Sequence, residues 1–335
     1  MSPKPDVFTG QIIEYVRNVY GLDARHVALI AGGGDADEID YRVDGDGGPY
    51  FLKLRRGTTG SPPRLARHLA DSGITQVLAP LSPRDRQLST RIGDLSAIIY
   101  PFIEGKNGFR MPLNEDQWTA FGAVLRAVHD VRLPPSVSGI IRQETYSDAF
   151  CRKVRGYLTA FPSQGPNDGV ARELVRVLSS KRLEIAALVE HAEQLAASLR
   201  RRALSMVPCH GDLHAGNVLV DRAGSLAIVD WDDPVLAPKE RDLMFVGGGV
   251  GGVLNRPEES ADFYRGYGTA ASVDPEALAY YRCARVVEDV AVYCDQLLLK
   301  GGDKRAERER SLRRFVDQFR PNDVVEIAER TFAAL

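Results

Sequence analysis

Aspartates at positions 212 and 230 and an asparagine at 217 stand in C-H-G-D-L-H-A-G-N-V-L-V-D-R-A-G-S-L-A-I-V-D-W-D, Cys209 to Asp232. Their types suit phosphoryl transfer. One carboxylate can take the proton of an attacking hydroxyl, while an amide oxygen and a second carboxylate hold Mg²⁺, a hard cation that prefers oxygen ligands. Between Asn217 and Asp230, two apolar runs, Val218-Leu219-Val220 and Leu226 to Val229, flank the turn cluster Asp221-Arg222-Ala223-Gly224-Ser225. That pattern predicts a β-hairpin. The hairpin would bring Asn217 and Asp230 to the same end of two paired strands, with Asp212 on the loop just before. The plainer alternative, a hairpin whose turn is merely polar, leaves three roles at three matching positions unexplained.

The step of five from Asp212 to Asn217 is that of the kinase loop H-R-D-x-x-x-x-N. H-G-D-L-H-A-G-N, with V-D-W-D downstream, resembles the aminoglycoside phosphotransferase family, relatives of protein kinases that phosphorylate small-molecule hydroxyls. His210, where protein kinases carry His-Arg-Asp, and His214 favour this branch. Tyr100 to Phe109 (Y-P-F-I-E-G-K-N-G-F), Asp230 to Gly251 and Arg285 to Tyr293 (R-V-V-E-D-V-A-V-Y) resemble spectinomycin phosphotransferases within it. The likeness runs from about Gly21 to Glu326. It implies an α+β, bilobal protein-kinase-like fold, ATP and Mg²⁺ as cofactors, and a cationic aminocyclitol as the acceptor. Asp212 would be the catalytic base, Asn217 and Asp230 the metal ligands, and Asp242 a buried brace of the catalytic loop. Ile98 to Gly105 would join the lobes, with the Pro101 carbonyl accepting from the adenine amino group and the Ile103 N–H donating to its ring. Proline, which has no N–H, suits only the first of these roles.

These side chains need elements to place them. Residues 5–20 read as an amphipathic helix, with Ile12, Ile13, Val16 and Tyr20 at helical spacing. Strands are expected at Val27 to Ile30, Glu38 to Val43, Tyr50 to Leu54, Gln87 to Ile92 and Ala97 to Tyr100, with a helix at Leu65 to Asp71. After Gly105 the texture turns helical, beginning with Glu115 to Asp130, where Trp118, Phe121, Leu125 and Val128 share one face. The expected division is therefore 1–103, a β-rich nucleotide-binding lobe, and 104–335, a helical lobe carrying the catalytic loop, metal-site hairpin and substrate pocket.

Lys53, in F-L-K-L, lies inside an apolar strand, and a buried ammonium is costly without an anionic partner. The third-strand Lys of kinases meets that need at the α- and β-phosphates; the alternative is an edge lysine facing water. No Glu follows on the next helix, and only Asp71 is near in sequence. Gly32, Gly33 and Gly34 lie between the first two strands, where backbone N–H groups can approach phosphate oxygens. No G-x-x-x-x-G-K-[ST] occurs. Gly247 to Gly252 satisfies G-x-G-x-x-G, yet no βαβ unit surrounds it, and a compact loop is the better expectation.

At 335 residues, with 44% apolar and 26% charged side chains, the chain can bury a sizeable core. A formal net charge of −2 argues against nucleic acid as a partner. The basic tract Lys304 to Arg314 interleaves Glu with Arg as a solvated helix face does. Four cysteines without metal spacing read as reduced thiols, and the N-terminus has no apolar export core. A cytoplasmic enzyme, with no membrane partner, is the expectation; the oligomeric state stays open. A cationic acceptor calls for further carboxylates. Asp233, Glu240, Glu288 and Asp289 are the candidates, with Trp231 or Tyr293 for cation–π contact. For Glu288 and Asp289 the equal alternative is salt bridging to Arg282 and Arg285 on the same helix. The rivals are a kinase of this fold with another acceptor, and a nucleotide-binding pseudokinase acting as an interaction module. The intact Asp212, Asn217 and Asp230 weigh against the second.

Overall fold

The computed structural model describes residues 5–30, 38–56, 62–84, 88, 90–160, 168–253, 255–268, 273–299 and 305–335. Gly32, Gly33 and Gly34 lie outside the described residues, as does Gln87, where the fourth strand was expected to start. The chain forms two compact units.

The first unit comprises Met1–Met111, Asp130–Arg142 and Gly216–Pro234. It holds a five-stranded antiparallel sheet in the order β1-β2-β3-β5-β4: β1 is Ala24–Leu29, β2 Glu38–Gly45, β3 Gly48–Arg56, β4 Thr90–Ile92 and β5 Leu95–Pro101. Register follows from alternation. Tyr41 of β2 pairs with Leu52 of β3, which pairs with Ile99 of β5, so one face carries a continuous apolar row. Ile12 and Val16, one helical turn apart, are buried in the same core. The helical run that begins as α1 (Pro5–Tyr15) reaches residue 20 as expected, though not as α-helix throughout. Its last turn, Val16–Tyr20, widens to π geometry before Gly21 ends it in the left-handed region. The helix α2 is Pro62–Asp71.

The expected linker contains a strand. β6, Gly105–Asn107, pairs antiparallel with Val218–Asp221, which pairs in turn with Leu226–Ile228. Ile228 also donates to the Gln76 carbonyl at 2.8 Å and accepts from the Leu78 N–H at 3.0 Å. This hairpin thus falls with the first unit, whereas the change of texture near residue 103 groups it with the later helices. The physical reason is local. Both edges of a two-stranded hairpin need partners, and the nearest strand-forming segments lie in the first unit.

The second unit comprises Pro112–His129, Gln143–Ala215 and Val235–Leu335. Val154, Leu174, Leu188, Val286, Val290 and Phe315, from five helices, share its main core. The helix Pro275–Cys294 is central there. Asp274 caps it by accepting from the Ala277 N–H, and Pro275 occupies its first turn. In α3, Glu115–Asp130, the expected face of Trp118, Phe121, Leu125 and Val128 is buried. Gly122 lies on the same helix, where a Cβ would stand 2.0 Å from the Phe263 carbonyl oxygen, so glycine permits the close crossing with Pro257–Tyr267. All four cysteines are free and buried, and burial pushes the Cys151 thiol up to about 11 and those of Cys283 and Cys294 up to about 12. They are inert thiols. Among the described residues, no helix is long and apolar enough to cross a membrane.

Candidate active site

In the first unit, the hairpin sets the spacing of two oxygen-bearing side chains. The Val229 N–H donates to the Asn217 carbonyl at 3.0 Å, which closes the ladder just before Asp230. Asn217 is buried, while the Asp230 side chain is 46% exposed. Asp230 also has φ of 64°, in the left-handed region that Asp and Asn tolerate better than other side chains. Such backbone strain is retained where surrounding structure over-determines it, often at functional sites. An amide oxygen and a carboxylate, one of them anionic, form a donor set that fits a hard divalent cation.

Lys53 sits on β3 opposite Asp40 of β2 and Ile98 of β5. Its Nζ lies 2.7 Å from Asp230 Oδ1, 2.7 Å from Asp232 Oδ2 and 3.2 Å from Glu38 Oε1. Burial alone would lower the Lys53 pKa; Asp230, Asp232 and Glu38 outweigh it and hold the ammonium charged far above its ordinary range. An edge lysine facing water is therefore excluded. The partner sought on α2 stands instead on β2 as Glu38, while Asp71 pairs with Arg67 at 2.7 Å. Glu38 and Asp40, two apart on a strand, share a face by alternation, which is the signal that could have pointed to them. Burial, opposed by Lys53 and reinforced by Asp40 and the two hairpin aspartates, moves the Glu38 carboxyl up to about 7.

The loop that carries Asp212 belongs to the second unit, and its brace is explicit. The Asp242 carboxylate, fully buried, accepts from the His210 N–H at 2.8 Å and the Gly211 N–H at 2.9 Å. Gly211 adopts φ of 89°, which turns its N–H toward that carboxylate at no Cβ cost. His129 Nε2 lies 3.2 Å from Asp242 Oδ2, and its Nδ1 is 2.8 Å from the Tyr267 hydroxyl. Burial would raise the Asp242 carboxyl; hydrogen bonding to His129, its charge and the loop N–H groups outweigh that and hold it below the ordinary range. His129, Cys209 and Asp242 bring potential ligand atoms within 4.8 Å of one another. Both carboxylate oxygens accept from N–H groups of the loop, so the cluster braces that loop. Asp242→Asn is expected to destabilise the fold by roughly 1–3 kcal/mol, because an amide nitrogen faces a backbone donor that then loses its acceptor. Urea or thermal unfolding measures this, and unchanged stability would remove the brace.

Asp212 is held from two sides. Its Oδ1 lies 2.6 Å from Arg285 Nη1, and its Oδ2 is 3.6 Å from His214 Nε2. Burial would raise its carboxyl; Arg285, with smaller effects of His214 and His210, outweighs that and keeps it below the ordinary range. An ionised carboxylate on a fixed loop can accept a hydroxyl proton.

The sequence profile described as the phosphotransferase enzyme family matches residues 26–281. The chain belongs to this family. As a phosphotransferase it is similar to Protein StrN of Streptomyces griseus, 27% identical over 267 residues, which cover 77% of this chain and 76% of the relative. Among solved structures, it is similar to spectinomycin phosphotransferase APH(9)-Ia in complex with ADP and spectinomycin. The identity is 38%, the TM-score 0.89, and the match covers 96% of this chain and 98% of that one. The macrolide 2'-phosphotransferase MphH from Brachybacterium faecium shares the fold, at 18% identity and a TM-score of 0.56, covering 92% of this chain and 98% of that one. The expected α+β, kinase-like class is thereby met by the phosphotransferase fold.

Several side chains considered for the acceptor of this phosphotransferase have other employment. Trp231 is 2% exposed and its indole N–H donates to the Ile228 carbonyl at 3.1 Å, so it is a core residue and offers no ring face to a cation. Glu240 is likewise buried; it accepts from the Asp274 N–H at 2.9 Å, at the cap of the Pro275–Cys294 helix. Asp289 pairs with Arg285 at 3.1 Å and accepts from Gln318 at 3.0 Å, which favours the salt-bridge alternative for that residue. Arg282, by contrast, donates to the Met244 and Val246 carbonyls and the Thr331 hydroxyl. Asp233 is exposed and pairs with Arg142 at 2.7 Å. Glu288 and Tyr293 are half-buried on the Pro275–Cys294 helix. Pro101 ends β5 opposite Tyr50, and Ile103 is half-buried beyond it. Gly247 to Gly252 forms turns closing in a 3₁₀ turn at Val250–Gly252, with no helix opening on it as a dinucleotide fingerprint would need.

Proposed function

We propose that this phosphotransferase moves the γ-phosphoryl group of ATP to a hydroxyl of a small cationic antibiotic, spectinomycin, in the cytoplasm. One observation carries the proposal: over 96% of its length the chain is similar, at 38% identity and a TM-score of 0.89, to an enzyme solved with ADP and spectinomycin. Asp212 orients the acceptor hydroxyl and takes its proton. Lys53 carries positive charge for the α- and β-phosphates, and the Pro101 carbonyl and Ile103 N–H read the adenine; Gly32, Gly33 and Gly34 are proposed to cover the phosphates. Asn217 and Asp230 would hold Mg²⁺, which when bound neutralises phosphate charge. Positioning and electrostatics supply most of the acceleration in such reactions, so the chain needs no covalent intermediate.

Spectinomycin carries two methylamino groups that are cationic near neutral pH. Glu240 and Trp231 are buried in structural roles, so Glu288 and Tyr293, and Asp233 in exchange for its Arg142 partner, are the side chains proposed to receive them, with Asp212 serving one cation as well as the hydroxyl. ADP release should be measured over a panel of aminocyclitols, macrolides, amino alcohols and neutral sugars. Spectinomycin is expected to give the highest kcat/KM, and Glu288→Gln to raise its KM while that for ATP changes little. A neutral sugar outperforming spectinomycin would reject the acceptor and leave the kinase assignment standing; ATP binding without turnover on any acceptor would favour the pseudokinase.

A further inference from the structure

From the Pro275–Cys294 helix, Arg285 reaches the loop that carries Asp212. Arg285 Nη1 lies 2.6 Å from Asp212 Oδ1, and Arg285 Nε lies 3.1 Å from Asp289 Oδ1 one turn further along the same helix. Asp289 in turn accepts from Gln318 Nε2 at 3.0 Å. The guanidinium also stands 5.7 Å from the centre of the Phe245 ring. Only 19% of the Arg285 side chain is exposed, so its orientation is dictated by these partners and not by solvent. The guanidinium hydrogen-bonds Asp212 through Nη1 and lies beside Asp289 as an ion pair, and its rigid planar donors hold direction as well as charge, which an ammonium does less well.

We infer that Arg285 is a positioning residue for the transfer step: it fixes Oδ1 of Asp212, so that this carboxylate meets the hydroxyl in one orientation and as an anion, and Asp289 and Gln318 aim the guanidinium. The inference rests on Asp212 being the base. Charged and titratable groups around the pair are Glu288 and Asp289 from the same helix, and His210 and His214 from the loop. Of these, Arg285 makes the largest contribution that favours the Asp212 anion; burial of the carboxylate works in the opposite direction. The sign follows. A carboxyl held down by a cation rises when the cation is removed, so losing Arg285 moves the acidic limb of the kcat/KM profile to higher pH.

Two substitutions separate charge from direction. Arg285→Gln is expected to move the acidic limb upward by about one pH unit or more, the scale set by one opposite charge at contact distance. Its kcat at the plateau should fall by roughly tenfold or more through loss of alignment. Arg285→Lys should keep the limb near that of the parent, yet still lose much of the plateau kcat. A folded Arg285→Gln with an unmoved limb and kcat within about twofold of the parent would overturn the inference. So would an Arg285→Lys variant with the plateau kcat of the parent, which also serves if the Gln variant does not fold. The Asp212 carboxyl can be followed without turnover by ¹³Cγ-aspartate NMR, with Asp212→Asn identifying its signal. An upward shift of that titration in Arg285→Gln supports the inference even if no acceptor is phosphorylated, and an unmoved one rejects it. Inactivity of the parent on every acceptor would reject the proposed function alone.

Discussion

Asp212→Asn is expected to lower kcat by roughly 10²–10⁴-fold, the contribution of a positioned general base. ATP binding should stay close to that of the parent. The amide preserves the shape of the side chain, and the oxygen facing Arg285 can still accept at Oδ1, where the parent contact is 2.6 Å. Arg285 also keeps Asp289 as a counter-ion at 3.1 Å, so no buried charge is stranded and the variant should fold. What is lost is the basic electron pair that takes the hydroxyl proton. Steady-state kinetics beside a direct ATP-binding measurement separates these effects. Turnover within about threefold of the parent would remove Asp212 from the mechanism.

Asp230→Ala is expected to reduce Mg²⁺-dependent turnover by a comparable or larger factor, and added Mg²⁺ should recover little. The substitution deletes the only charged member of the proposed Asn217–Asp230 ligand pair, and a ligand fixes the geometry of the nucleotide as well as affinity for the ion. It also places alanine at φ of 64°, a conformation that costs a residue other than glycine about 1–2 kcal/mol. Asp230→Asn is the cleaner companion, since Asn tolerates that backbone conformation while removing the charge. Lys53 retains Glu38 and Asp232 in both variants, at 3.2 and 2.7 Å in the parent, so the buried ammonium stays partnered. Activity titrated against Mg²⁺ decides the matter. Parent-like turnover and Mg²⁺ dependence in Asp230→Asn would move the metal site away from the hairpin.

How far the site can be read from sequence depends on the range of each interaction. The hairpin between Asn217 and Asp230 is legible because turn chemistry with apolar alternation fixes its local geometry. The five-stranded sheet is legible for the same reason, since its apolar rows follow the period of two. Local periodicity says nothing about which distant strand completes a hairpin. β6 is too short, and too poor in branched residues in Gly105-Lys106-Asn107, to announce itself, so texture alone groups the hairpin with the later helices and not with the first unit. Partners far apart in sequence are hidden likewise. Lys53 meets Asp232 across 179 positions, and Arg285 meets Asp212 across 73. The ion pair of Arg285 with Asp289 has i,i+4 spacing and is visible in sequence; the reach of Arg285 to Asp212 is not. Glu240 and Trp231 mislead because polarity and aromaticity alone suggest a pocket, whereas their burial comes from helix capping and from packing of the hairpin.

The central claim is transfer of the γ-phosphoryl group of ATP to a hydroxyl of spectinomycin, and mass analysis of the acceptor tests it most directly. Purified protein with ATP, Mg²⁺ and spectinomycin should yield monophosphorylated spectinomycin in step with ADP, and Asp212→Asn should yield almost none over the same interval. ADP formed without any phosphorylated spectinomycin, or spectinomycin left unmodified while another acceptor in the panel is phosphorylated efficiently, would contradict it.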